Sequence, residues 1–181
     1  MKLDMNDSIE LPSGVSAVIA NFLIAVKGPK GEVKRKMVAP AIKTALEGTK
    51  IILTATHGTK REKTALNTLA AHIRNMVKGV QQPWVYKLKV CSSHFPMNVS
   101  STGKDFTIKN LFGEKVPRTM KLRDNVTVKV TGQDITVESV DLELAGNTAS
   151  DIEQLARICH VDRRVFQDGI HMVEKCGVKV E

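Results

Sequence analysis

Apolar and polar side chains alternate with period two through most of this chain, which is the signature of strands with one buried face. The alternation marks residues 15–19, 22–26, 33–37 and 50–54 in the first half, and 85–90, 95–99, 106–110, 116–120, 125–131 and 135–139 in the second. Two stretches change period. Leu66, Leu69, Ile73, Met76 and Val77 fall on one face of a helix that opens on a Thr59-x-x-Glu62 capping pattern and runs to Gly79. Ala145, Ala149, Ile152, Ala156 and Cys159 mark a second helical face. After Val161 the periodicity lapses, and residues 162–181 read as an extended tail that turns at Asp168-Gly169.

The same order of elements occurs twice, and so do particular residues. Phe22, Ile24, Gly31, Glu32, Arg35 and Met37 recur in order as Phe106, Ile108, Gly113, Glu114, Arg118 and Met120. A nearly constant offset of this kind marks one supersecondary unit used twice. The expected fold is therefore α+β: two tandem duplicated domains, each a mainly antiparallel sheet covered by a helix. Pro83 marks the junction, which gives an N-terminal domain over residues 1–82 and a C-terminal domain with an extended tail over residues 83–181.

Composition narrows what such modules do. The formal charge is +8, with 27 basic against 19 acidic residues, which points to a polyanionic or acidic partner. Residues 1–82 carry most of that excess, but the second half is segregated: residues 130–156 hold Asp134, Glu138, Asp141, Glu143, Asp151 and Glu153 and no Lys or Arg. Blocking of this sort suggests one surface facing an anion and another facing away. Aromatics make up only 4% of the chain, which disfavours a reader of single strands built on an aromatic platform. Three cysteines without a Cys-x-x-Cys pair fit no complete disulfide framework and imply a reducing compartment. No apolar run is long enough to span a membrane, and no membrane partner is expected.

Catalytic and metal chemistry find no support in the motifs. Cys159-His160 and the Cys91 to His94 spacing lack a second ligand pair for zinc. No Walker sequence, Gly-rich dinucleotide loop or His-Glu-x-x-His occurs, and Ser92-Ser93-His94, read as strand, would alternate faces. Gly28-Pro29-Lys30-Gly31 has the Gly-x-x-Gly form that clamps phosphates between two helices in one RNA-binding fold, but here it lies between strands and reads as a hairpin turn. The expectation is no catalytic residue, no metal and no cofactor. A free RNA-binding regulator and an enzyme remain as alternatives of other classes.

The most specific stretches are His94-Phe95-Pro96-Met97-Asn98-Val99, then Asn110-Leu111-Phe112-Gly113-Glu114-Lys115-Val116-Pro117-Arg118, then Arg164-Val165-Phe166-Gln167-Asp168-Gly169-Ile170, with Gln154, Ile158 and Val173 around the last. Together they resemble the archaeal and eukaryotic branch of the large-subunit ribosomal protein L-six family, and the resemblance covers essentially the whole chain. The chain departs from the pattern at Val161, where the family usually has a basic residue, and at His171, where it has an aromatic. The resemblance implies a non-enzymatic structural component of the large ribosomal subunit, cytoplasmic within the ribosome. It implies binding to large-subunit rRNA near the stalk base and the docking region of translational GTPases, mainly through the second domain. Neighbouring ribosomal proteins at the stalk base, and translational GTPases, are the further partners it suggests. Carried onto this sequence, Lys115, Arg118 and Arg164 are the leading phosphate contacts. Lys109, Arg157, Arg163 and Lys175 join them on charge and proximity along the chain.

Overall fold

The computed structural model describes residues 3–20, 22–37, 39–159, 161, 162 and 164–180, and the chain divides into two compact units, Met1–Pro83 and Trp84–Glu181. Every paired strand in both units is antiparallel, and each unit has one long helix, so the class is α+β.

The first unit contains β1 (Leu3–Glu10), β2 (Ser16–Ala20), β3 (Leu23–Gly28), β4 (Gly31–Lys36), β5 (Lys43–Glu47), β6 (Lys50–Gly58) and α1 (Lys60–Gln81). Its strands form two three-stranded sheets, ordered β1-β6-β5 and β2-β3-β4, and α1 packs on both. Alternation along β6 buries Ile51, Leu53 and Ala55, against which the helix lays Leu66, Ala70, Ile73 and Val77. The helix starts where the sequence places it. Thr59 accepts from the helix N-terminus while the Glu62 carboxylate accepts from the Thr59 backbone N–H at 2.7 Å, closing a capping box. It runs two residues past Gly79, because Val80 is fully buried and tertiary packing outweighs the weak helix preference of glycine. β1 escapes the pattern reading since its residues are mostly polar; its ladder with β6 makes it a strand.

The second unit contains β7 (Trp84–Cys91), β8 (Asn98–Thr102), β9 (Asp105–Lys109), a 3-10 turn (Leu111–Gly113), β10 (Arg118–Lys121), β11 (Val126–Thr131), β12 (Asp134–Ser139), α2 (Leu142–Leu155), β13 (Gly169–Lys175) and β14 (Val178–Lys179). A five-stranded sheet ordered β11-β12-β7-β13-β14 carries α2, and a three-stranded sheet β10-β9-β8 completes the unit. Phe106 is wholly buried in a cluster with Leu88, Ile135, Val137, Ala149 and Ile152, joining residues from both sheets and the helix.

Two expectations are corrected here. The stretch read as an extended tail holds β13, which pairs directly with β7 and buries Ile170; only the ladder with a distant partner reveals it. The strand placed at 95–99 begins instead at Asn98, because Pro96 has no N–H to give and the N–H of Ser93 goes to the Asp168 carboxylate at 2.6 Å.

The internal repeat is a repeat of pairing. Ile24 lies opposite Arg35 in the first unit and Ile108 opposite Arg118 in the second. Phe22 and Met37 are joined by a backbone hydrogen bond of 2.6 Å, and Phe106 lies opposite Met120. The copies differ in the connection. In the first unit Gly28 pairs with Gly31 across a two-residue turn, whereas in the second the strands stop early and residues 110–117 form a longer loop.

Candidate nucleic-acid interface

The three motif stretches, remote in sequence, meet at one end of the second unit as three loops, residues 92–97, 110–117 and 164–168. Two polar ties hold them. The buried Asp168 carboxylate accepts the Ser93 N–H at 2.6 Å, joining the first loop to the third. Asn110 donates through Nδ2 to the Pro96 carbonyl at 3.0 Å, joining the first to the second. Between these bonds the rings of His94, Phe95, Phe112 and Phe166 touch in series, edge to face, with centroid separations of 4.7, 6.3 and 5.3 Å. Phe112 has φ of +49° and Gly113 φ of +79°. A phenylalanine in the left-handed region is strained, and the packed rings around it offset that strain.

Arg118 is the anchor of the second loop. Its Nε and Nη2 donate to the two Glu114 carboxylate oxygens at 2.8 and 2.5 Å, and Nη1 donates to the carbonyls of Leu155 and Arg157 at 2.8 Å each. The last carbonyls of an α-helix have no partner within the helix, so this guanidinium satisfies the C-terminal end of α2 while its charge meets the negative end of the helix dipole. The hydrogen bonds from Arg118 hold the Glu114 carboxyl below its ordinary range, and Glu114 in turn raises the Arg118 pKa. In the first unit the corresponding hairpin docks the same way by other means: the Lys30 N–H donates to the Val80 carbonyl near the end of α1 at 3.0 Å. Gly28 lies so close that a Cβ there would sit 2.8 Å from Val80 Cγ2.

The sequence-derived contacts thus divide. Lys109 precedes the second loop, Lys115 lies on it, Arg157 follows α2, and Arg164 lies on the third loop; all four are exposed. Among the described residues, none of their side chains makes an ion pair or hydrogen bond. Arg118, expected on phosphate, directs its donors into the fold. Lys175 is separated from the group, because it ends β13 while Asp168-Gly169 begins it, roughly 20 Å away at strand rise. Arg163 lies outside the described residues. The acids on the loops and just before them have partners within the protein: Glu114 on Arg118, Asp168 on Ser93, and Asp162, whose carboxylate accepts the Arg164 backbone N–H at 3.0 Å. A cleft of about 770 Å³ opens beside the third loop, lined in part by Glu153 on α2 together with Arg157, Phe166, Asp168 and His171. Among the described residues, no group of His, Cys, Asp and Glu is arranged to hold a metal ion and no helix is long and apolar enough to cross a membrane.

Sequence reasoning missed the ring cluster. The signal was present, since each of the three motifs carries one phenylalanine, but a whole-chain aromatic fraction of 4% gives no hint that three of the five gather in one place. Asp168, read as a turn former, is also a buried tie between loops.

A duplicated sheet-and-helix scaffold that presents unpaired cations on braced loops has the form of a module suited to an anionic partner. Comparison with known proteins gives the particular kind. The family model described as Ribosomal protein L6 matches residues 11–83 and again residues 95–169, once per unit. Among curated relatives, the large ribosomal subunit protein uL6 of Nanoarchaeum equitans is 44% identical over 95% of this chain and 94% of its own length. That of Ignicoccus hospitalis is 43% identical over 91% of each chain, and that of Methanococcus vannielii 38% identical over 96% of this chain and 95% of its own. The chain belongs to the ribosomal protein L6 family, and it is a structural protein rather than an enzyme.

Proposed function

We propose that this protein is built into the large ribosomal subunit in the cytoplasm, where its second unit is the main rRNA-binding half. The site lies near the stalk base and the docking region of translational GTPases, beside neighbouring ribosomal proteins. Family membership supports the particle, and the family resemblance supports the place within it. The observation that carries the mode of binding is the asymmetry of the loop cluster, in which Glu114, Asp162 and Asp168 accept hydrogen bonds from the chain itself while the side chains of Lys109, Lys115, Arg157 and Arg164 have no partner among the described residues.

Binding then proceeds through phosphate and ribose. Each cation that neutralises a phosphate releases a counterion, so affinity falls steeply with salt. Among the acids of α2, Glu153 shares a cleft lining with Arg157 and offsets part of this attraction, whereas the others do not. Asp141 and Glu143 stand at the opposite end of a helix about 21 Å long, beyond the Debye length of roughly 8 Å, and Asp151 is paired with Arg123 at 2.8 Å. Arg118 acts as a positioning residue that fixes the loop bearing Lys115 to the end of α2 bearing Arg157. Arg163 and Lys175 are further proposed contacts, Lys175 on a separate part of the surface.

Sucrose-gradient sedimentation tests the reading. The wild-type protein should run with the large subunit, and the triple variant K115E/R157E/R164E should incorporate at least tenfold less while keeping its fold. Wild-type protein that sediments free of the subunit would refute it.

A further inference from the structure

The rRNA-binding reading leaves the ring cluster unexplained. Phosphates and riboses, which are what a paired RNA stem offers, give an aromatic surface nothing to bury. Yet Phe95 and Phe166 remain 39% and 41% exposed, and Val116 and Val165 beside them are 77% and 71% exposed. Apolar side chains are thereby grouped at a place where the loops also carry unpaired cations.

The cluster is also built to stay in place. Asn110, Asp168 and Arg118 brace the loops that carry the rings, and Phe112 is held in the left-handed region to join the series. A surface kept rigid in this way loses little entropy when it binds a flat partner. Charge selects that partner. On and beside the loops, four cations, Lys109, Lys115, Arg157 and Arg164, have no side-chain partner among the described residues, whereas the three acids Glu114, Asp162 and Asp168 each accept a hydrogen bond from the chain. A protein segment bound through apolar contacts has no need of such a field, whereas an unstacked base, with phosphates on either side, offers a flat apolar face and two negative charges.

We propose that the rings of Phe95, Phe112 and Phe166 receive an unpaired nucleobase, from a bulge or loop of folded RNA, while Lys115 and Arg164 meet its flanking phosphates. This rests on the reading that the second unit binds rRNA, and it names the RNA element that unit selects. It also reverses the expectation from composition that few rings are available to bases: scarcity along the chain is overcome by concentration in space.

The test uses the full chain and two RNA probes, a stem-loop pool with a randomised bulge of a few nucleotides and the same stem fully paired. Stacking is worth about tenfold in affinity per base, so wild-type protein should prefer the bulged pool by about that factor. Phe166→Leu keeps an apolar side chain without an aromatic face and should lose most of the preference while binding the paired stem as before. Phe166→Trp should retain it. Fluorescence of the single tryptophan, Trp84, reports that Phe166→Leu is folded, and circular dichroism does so for Phe166→Trp, which carries a second tryptophan. Equal binding of both RNAs by the wild type, with Phe166→Leu changing neither, would overturn the proposal in favour of a protein partner on the rings and would leave the rRNA reading standing. A preference unchanged in Phe166→Leu would overturn it too. Failure to bind either RNA would remove both.

Discussion

Replacing Arg118 with alanine separates the two roles open to this residue, tie and phosphate contact. The side chain makes two hydrogen bonds to the Glu114 carboxylate and two to the carbonyls of Leu155 and Arg157, and it is 27% exposed. The ion pair is partly screened by solvent, so its share is about 1 kcal/mol. Each carbonyl bond contributes about 0.5–1.5 kcal/mol, and truncation leaves the partly buried Leu155 carbonyl without its donor. The expected loss is about 2–4 kcal/mol in the second unit. Trp84 is the only tryptophan and belongs to this unit, so urea unfolding followed by its fluorescence reads the loss where it occurs. Arg118→Lys keeps the charge but cannot form the two-pronged contact, and should recover less than half of it. The Glu114 pKa is lowered in the folded protein, so its contribution is fully present above the unfolded value near 4.5 and disappears as pH falls through the depressed folded value. The stability gap between wild type and Glu114→Gln should therefore close in acid. A change below 0.5 kcal/mol in Arg118→Ala, accompanied by a tenfold loss of RNA affinity, would show that the structural reasoning is wrong and that Arg118 is a phosphate ligand.

Two further perturbations check other parts of the structure. Gly28→Ala places a methyl group against Val80 and should destabilise the first unit by about 1–3 kcal/mol in thermal unfolding, with no effect on Trp84 fluorescence if the units melt independently. Burial raises the pKa of Tyr86, the single tyrosine, to about 12, with a hydrogen bond from the phenol to the Cys176 sulfur and the negative charge of that thiolate adding to the shift. Tyrosinate absorbance should accordingly appear near pH 12 in the folded protein, and stability should fall between pH 10 and 12, where only the unfolded chain has lost the proton. Absorbance that rises near pH 10 without unfolding would contradict the burial of this phenol.

The alternation of β6, the helical face of α1, that of α2 as far as Ala156 and the Thr59-x-x-Glu62 cap were legible because local periodicity and capping chemistry act within a few residues of chain, whereas Cys159, read onto the second face, lies exposed beyond the end of α2. The duplication was legible for a similar reason, since Ile24 and Ile108 must each face an arginine across the same ladder. The family was legible from three short motifs. What those motifs are for was not, because neither the convergence of loops some 15 and 50 residues apart along the chain nor the bonds that brace them has a local signature. β13 depends on β7, Asp168 on Ser93, and Arg118 on the carbonyls at the end of α2. The sequence by itself therefore determined the elements, their repetition and the sign of the charge. Only the tertiary structure decided which cations stand free, which one is a brace, and that three scattered phenylalanines form one surface, because hydrogen bonds and ring contacts between distant segments exist only once the chain has closed on itself.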